Sequence, residues 1–376
     1  MQRRRALGLL GASAAALAAP AVAAPALGAV TRAPRPLRIL ILGGTRFIGL
    51  HMTEYALARG HRLTFFNRGR TATERFKDVE QITGDRNDQL DGLRSRQWDA
   101  VIDNSGYVPR HVRLSARLLR PNVPRYLFIS SISVYTDFAT PRNEYSAVGT
   151  LKDESVETVD ANSYGPLKAL SENTVRSAYG DDAMILRPGL IVGPDDNTDR
   201  FTYWPARAAR GGEFIAPNSP RDPVQFIDVR DLAEFTIHAL EREVSGTFNV
   251  VNPPGLTIGQ LIEESVNAAT EIAAPKPPPK AVWLPNQFLA AQGIKGWSDL
   301  PVWQAAVGPE AAFAATSAER ALRAGLTIRE LRTTVTDTLR WHLARPARER
   351  ATLKAGLSAE REQAALALWA QRQPAA

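Results

Sequence analysis

The sequence predicts an α/β protein, a doubly wound parallel sheet with a smaller C-terminal lobe, and three observations predict it. An apolar, partly β-branched run (Ile39, Leu40, Ile41, Leu42) breaks into Gly43-Gly44 and then into a helical pattern that opens at Phe47. Short strand-like runs and helical stretches then alternate as far as Arg187, the rhythm of a parallel sheet. From Pro188 the texture changes to loops rich in Pro, Gly and Asp. At 376 residues the chain can hold one large α/β domain with a sizeable core, or two closely packed ones.

The stretch Leu37 to Leu50 reads as a buried strand, a tight glycine turn and a helix start, the first βα unit of a Rossmann sheet. A pyrophosphate is stabilised by backbone N–H groups at a helix N-terminus, and glycine lets the main chain come close enough to use them. The candidate cofactor-binding residues here are therefore Gly43, Gly44, Thr45, Arg46, Phe47, Ile48 and Gly49. In the G-x-x-G-x-x-G form of the motif, Gly43 and Gly49 hold the outer places and Arg46 sits in the middle one.

A second strand, Arg62 to Phe66, ends at Asn67-Arg68-Gly69-Arg70. NAD enzymes usually place an acidic residue here for the ribose 2′-hydroxyl. Asn67 replaces it, with Arg68 and Arg70 beside it and Arg46 in the glycine loop. Guanidinium groups pair with a 2′-phosphate that a carboxylate would repel, so NADP is favoured over NAD. The alternative is that these arginines are solvated loop charges.

Further strands are expected at Gln81 to Thr83, Ala100 to Asp103, Tyr126 to Ser131 and Ala183 to Arg187, and helices at His111 to Leu119 and Asn162 to Tyr179. Beyond Pro188, Val224 to Ile227 and Thr247 to Val251 read as strands, the second returning to the main sheet. Asp231 to Glu241 and Ile258 to Thr270 read as helices, and Pro275 to Lys280 as a stiff, extended connector. Trp283, Trp297 and Trp303 read as packing residues, and the tail holds two helical patterns, Ile328 to Leu343 and Ser358 to Ala370. The expected division is a leader over 1–31, a dinucleotide-binding domain over 37–187, a substrate lobe over 188–345 and a helical tail over 346–376.

Tyr164 and Lys168 stand one turn apart at the start of a helical stretch. An ammonium beside a phenol lowers its pKa and makes it usable as an acid or base near neutrality. The pair follows a strand ending in Ser130, Ser131 and Ser133, in a sheet that opens with a glycine turn. With these three signals in order, the chain resembles the extended short-chain dehydrogenase/reductases, in the NAD-dependent epimerase/dehydratase family, from about Leu37 to Leu343. The resemblance implies that Tyr164 is the catalytic tyrosine and Lys168 its partner, which also holds the nicotinamide ribose. It implies that Ser131 hydrogen-bonds the reacting oxygen, and that Asp85 contacts adenine. The expected activity is proton and hydride transfer at a secondary alcohol or ketone of a small, carbohydrate-like substrate, with room for a homodimer.

Two positions depart from the pattern. Leu190, in Arg187-Pro188-Gly189-Leu190, stands where nucleotide-sugar enzymes often have an asparagine; leucine cannot donate a hydrogen bond, which argues against an NDP-sugar. The Gly43-Gly44-Thr45-Arg46-Phe47-Ile48-Gly49 turn also resembles the chloroplast stem-loop RNA-binding proteins. A catalytically idle Rossmann protein that binds RNA or another partner is therefore the alternative.

Arg3, Arg4 and Arg5 precede an uncharged, Ala- and Gly-rich stretch to Thr31, with Ala21-Val22-Ala23 as a cleavage site. This resembles a twin-arginine export signal and implies a periplasmic or secreted protein, the alternative being a cytoplasmic one with a disordered extension. As a membrane span the stretch is poor. The net charge of +7 is spread along the chain with no aromatic-interleaved basic block, which is poor support for a nucleic-acid partner. The chain has no cysteine, which excludes disulfides and thiol catalysis. Its five histidines lack paired ligand spacing, so no metal is expected.

Overall fold

The computed structural model describes residues 30–70 and 74–372, so the export segment lies outside the described residues except for its last two. Among the described residues no helix is long and apolar enough to cross a membrane. The chain opens with β1 (Arg38–Leu42), α1 (Ile48–Ala58), β2 (Arg62–Asn67), β3 (Glu80–Thr83) and β4 (Ala100–Asp103). It continues through α2 (Pro109–Leu119), β5 (Arg125–Ile129), α3 (Tyr164–Tyr179), β6 (Ala183–Pro188) and β7 (Ile191–Val192). Next come α4 (Tyr203–Ala209), β8 (Gly212–Pro217), β9 (Ile227–Asp228), α5 (Val229–Glu241), β10 (Gly246–Val250) and α6 (Ile258–Ile272). The last elements are β11 (Pro279–Leu284), α7 (Asn286–Ala291), α8 (Glu319–Arg323), α9 (Leu331–Ala344), α10 (Ala347–Ala351) and α11 (Ala359–Ala370).

Seven strands form one sheet in the order β10-β6-β5-β4-β1-β2-β3. Every pairing is parallel, with Ile39 beside both Leu63 and Ala100. The continuous apolar run of β1 follows from this arrangement, because both of its faces are covered. Ile39, Ile41 and Phe65 pack with Met52 and Tyr55 of α1 and Leu232 and Phe235 of α5. Leu40, Leu42 and Phe128 point the other way, onto Val112 and Leu119 of α2 and Val175 of α3. From β1 the chain winds outward through β2 and β3, then crosses back to β4 and winds outward on the other side. The strand order reverses between β1 and β4, and the crevice at such a reversal is where ligands bind in open α/β sheets.

As expected, the strand after Glu241 returns to the main sheet, with Thr247 beside Ile185. A separate core of Trp204, Trp303, Phe214, Leu261 and Leu339 gathers α4, α6, α9 and the β8-β11 pair, with Trp283 and Trp297 packed against it. The tail helix α11 joins this core through Glu362, which accepts from Arg207 Nε at 2.6 Å, and through Trp369, whose ring lies 4.9 Å from that of Phe288.

Two sequence expectations need correction. Val224 to Ile227 is not a strand: only Ile227–Asp228 pairs, with β7. Val224 N donates to Leu256 O at 2.9 Å and Phe226 N to Asn252 Oδ1 at 2.7 Å, so loop and side-chain acceptors replace a neighbouring strand. The proline-rich connector is also more than a spacer. Its last two residues, Pro279 and Lys280, begin β11, which pairs in parallel with β8, a strand the sequence did not announce.

A buried ion pair ties α3 to β6 beneath the serine turn. Glu172 accepts from Arg187 Nε at 2.8 Å, Arg187 Nη2 at 2.6 Å and Ser130 Oγ at 2.6 Å, with its side chain 1% exposed. Arg187 Nη1 continues to Tyr135 Oη at 3.0 Å, which donates to Asn249 Oδ1 at 2.6 Å. Removing one member of such a pair strands the other charge. Glu172→Ala is therefore expected to lower unfolding stability by about 3–5 kcal/mol, measured by urea denaturation. A loss below about 1 kcal/mol would show that the network is solvated.

Candidate functional site

The glycine turn sits at the C-terminal end of β1, beside the point where the strand order reverses. Gly43 and Gly44 have φ of 103° and 90°, a region side chains disfavour. A Cβ on Gly49 would stand 2.4 Å from Gly44 Cα, so the first turn of α1 lies directly on the loop. Gly43 N is committed to Phe66 O at 3.0 Å. Thr45 is buried, Arg46 is exposed, and Phe47 and Ile48 are half-buried at the helix start. Close backbone approach and a helix N-terminus fit a dinucleotide pyrophosphate here.

At the end of β2, the Asn67 carboxamide accepts from Gly69 N at 2.8 Å and donates to Gln81 Oε1 at 3.1 Å. It shapes the turn and ties it to β3. Arg68 and Arg70 are exposed, as is Arg46, and none of the three has an ion pair among the described residues. Asp85 accepts from Asn87 N at 3.0 Å and from Asn87 Nδ2 at 2.8 Å. The Asn87 N–H holds this carboxyl below its ordinary range, with a smaller contribution from the Arg68 charge.

Tyr164 opens α3 beside the serine turn, and the Ser131 side chain opposes the rise that burial causes in the phenol's pKa, so these two predicted residues are neighbours. Ser131 Oγ accepts from Ser133 N at 3.1 Å and lies 3.0 Å from Ser133 Oγ. A residue the sequence reading passed over makes the meeting possible. A Cβ on Gly165 would fall 2.0 Å from Ser133 O, so α3 can lie against the serine turn only with glycine there. The signal was the small residue immediately after Tyr164.

Lys168 departs from expectation. It lies one turn from Tyr164, but its ammonium is spent on the strand ends, donating to Ile129 O at 2.6 Å and Gly106 O at 2.8 Å. It also lies over the Phe128 ring at 4.2 Å. Burial lowers its pKa to about 7. The expected depression of the Tyr164 phenol by Lys168 is absent: burial raises that pKa, and the groups opposing the rise are Ser131 and Arg200. Helical spacing set the two Cβ atoms on one face, but two buried carbonyls claimed the ammonium.

Beneath these residues lies a second network that the sequence reading missed. Asp103 ends β4 with no exposure and accepts from Arg86 Nη1 at 2.5 Å, Arg86 Nη2 at 2.7 Å and Tyr126 Oη at 2.6 Å. Burial would raise its pKa, but the Arg86 guanidinium outweighs this and holds it below the usual carboxylate range. Asp103 also accepts from Ser105 N at 3.2 Å, and Ser105 Oγ donates to Leu42 O at 3.0 Å. The loop facing Gly43 is thereby fixed. The signal was an acid closing an otherwise apolar strand.

The sign of the Lys168 contribution follows from its lowered pKa. Above pH 7 the folded chain has released a proton that the unfolded chain keeps until near 10.5. Stability of the nucleotide-free protein should therefore rise with pH from about 7 to 10, by up to ~1.4 kcal/mol per unit. Lys168→Met should remove that rise in urea titrations at pH 7, 8 and 9. Parallel curves for the two proteins would contradict the burial of a titrating ammonium.

Comparisons with known proteins place this geometry. The model of the NAD dependent epimerase/dehydratase family matches residues 39–252, from β1 through β10. The chain is similar to the chloroplast stem-loop binding protein of 41 kDa b of Arabidopsis thaliana, 27% identical over 250 residues. That alignment covers 61% of this chain and 63% of the plant protein, somewhat less than two thirds of its length. It is also similar to the epimerase family protein SDR39U1 of Bos taurus, 26% identical over 263 residues, covering 65% of this chain and 85% of that one. Among solved structures, Bordetella bronchiseptica WbmH in complex with NAD+ shares the fold at a TM-score of 0.60 and 17% identity, covering 82% of this chain and 99% of that one. Thermus thermophilus UDP-glucose 4-epimerase with NAD does so at 0.56 and 17%, covering 82% and 100%. With its glycine turn, serine turn and Tyr164 helix all inside the matched residues, the chain belongs to the NAD-dependent epimerase/dehydratase family.

Proposed function

We propose that the protein is an NAD(P)-dependent oxidoreductase of the epimerase or dehydratase type, acting on a secondary alcohol or ketone of a carbohydrate-like substrate. The observation that carries this reading is the seating of Tyr164, at the start of α3, against the serine turn of Ser131, with a Cβ on Gly165 only 2.0 Å from Ser133 O, at the same end of the sheet as the glycine turn. Pure binding needs neither residue in that relation. The glycine loop and the start of α1 would hold the pyrophosphate, with Asp85 toward adenine and Lys168 toward the nicotinamide ribose. The nicotinamide, when bound, supplies hydride chemistry. Tyr164 carries the proton to or from the substrate oxygen, and Ser131 holds that oxygen in place. Burial raises the phenol's pKa above its ordinary value, and Ser131 opposes that rise.

Tyr164→Phe is expected to lower turnover by about 10²–10⁴-fold while nucleotide affinity stays within about twofold. Near-normal activity in the purified variant would remove Tyr164 from the mechanism.

For the cofactor, the reading is a preference for NADP, supported by the exposed Arg46, Arg68 and Arg70 and by Asn67 in the usual acidic place. The solved neighbours named above hold NAD, so the preference rests on these residues. The same arginines and the likeness to a stem-loop binding protein favour RNA binding as the second reading. Arg68→Ala should weaken NADP about tenfold or more and leave NAD nearly unchanged in fluorescence titrations. Equal losses for both nucleotides would make Arg68 an ordinary surface charge.

A further inference from the structure

The loop after β4, residues 104–108, is pinned on both sides of one exposed ring. Ser105 Oγ donates to Leu42 O at 3.0 Å. A Cβ on Gly43 would stand 3.3 Å from the Ser105 Cβ, so the loop lies along the glycine turn. At the next residue, Gly106 O accepts from Lys168 Nζ at 2.8 Å. A Cβ on Gly106 would fall 2.6 Å from the Phe128 ring and 2.8 Å from Val112, so glycine alone fits there. Val108 is buried, and Pro109 starts α2.

Tyr107 stands between these fixed neighbours and is 51% exposed. Its ring centroid lies 6.5 Å from that of Tyr164, with the rings inclined at 40°. Lys168 Nζ lies over the same ring, 5.5 Å from its centroid. Tyr107 therefore borders both residues of the Tyr164 helix that the site uses, on a backbone with no room to shift. In the same loop Asn104 Oδ1 is buried without a hydrogen-bond partner among the described residues. Buried acceptors in native proteins nearly all have a donor, and a half-open aromatic ring keeps apolar surface that a ligand can cover. Both features face the expectation of a bound molecule along this loop.

We propose that Tyr107 packs its ring against the nicotinamide of the bound dinucleotide and sets how tightly that end is held. This rests on the dinucleotide reading of the site, with the pyrophosphate on the glycine turn and Lys168 toward the nicotinamide ribose. The loop spans those two points, Ser105 lying against Gly43 and Gly106 against Lys168. A dinucleotide that joins them runs along it and reaches Tyr107 at the Tyr164 end. A nicotinamide is flat and unsaturated, and such rings stack offset or edge-on against a phenol.

The test compares nucleotides with and without the nicotinamide, by calorimetric titration of the full chain. NADPH is paired with 2′-phospho-ADP-ribose, and NADH with ADP-ribose, so the result does not hang on the 2′-phosphate. Wild type should bind the nicotinamide-bearing member of at least one pair more tightly. Tyr107→Ala should weaken that member by about tenfold and leave its partner within about twofold. Tyr107→Phe, which keeps the ring, should stay within about twofold of wild type for both. Tyr107→Leu fills much of the same volume without a flat ring; it should repeat the selective loss and serves where Tyr107→Ala melts early. Equal losses for both members would make Tyr107 a prop of the loop and overturn the proposal. Unchanged affinity for both in the alanine and leucine variants would overturn it as well. Wild type that binds neither pair would remove the dinucleotide reading and this assignment with it, whereas binding without discrimination at residue 107 removes the assignment alone.

Discussion

No side chain fits between residue 49 and the backbone of residue 44. A Cβ on Gly49 would stand 2.4 Å from Gly44 Cα, closer than nonbonded carbons ever come. This contact seats α1 directly on the end of β1, beside the point where the strand order reverses. The same device recurs across the site, where a Cβ on Gly165 would stand 2.0 Å from Ser133 O. One close approach shapes the turn at the end of β1, and the other lays the start of α3, with Tyr164, on the serine turn. Both depend on helices lying nearer to a turn than any substituted residue allows.

The strand ends that carry these turns are held by charge as well as by packing. Asp103 with Arg86 fixes the end of β4, and Glu172 with Arg187 fixes those of β5 and β6. Both pairs are bidentate, and further donors fill out each carboxylate: Tyr126 Oη and Ser105 N on Asp103, Ser130 Oγ and Arg176 Nη2 on Glu172. A buried ion pair repays its desolvation only under such conditions. Little is gained in stability over an apolar filling. What the pairs supply is direction, because a guanidinium fork accepts few orientations of its carboxylate.

Lys168 shows how far such surroundings override a pattern. Helical spacing placed it beside Tyr164, and an ammonium next to a phenol would have lowered the phenol's pKa. In the fold, the carbonyls of Ile129, at the end of β5, and Gly106, in the loop after β4, lie within hydrogen-bond reach and take its donors. The ammonium satisfies them, and burial lowers its own pKa instead. The cation that does oppose the rise at Tyr164 is Arg200, from a loop 36 residues further along the chain.

Alternation of apolar runs with helical periods, and glycines at fixed offsets, were enough to read the parallel sheet, the turn after β1 and the return of β10. These are local signals, set by backbone sterics and by burial on two faces of a strand. Tyr164 and the glycine loop were marked by the same signals, a helix start and a strand end, whereas Ser131 was singled out among three serines only by the family resemblance. The β8-β11 pair was not legible, because residues 212–217 and 279–284 find each other across more than sixty residues, and neither run is distinctive alone. Arg86 on Asp103 was equally hidden. Partners for a buried charge are chosen by which loops the tertiary structure brings within hydrogen-bond reach, and spacing along the chain carries no record of that distance.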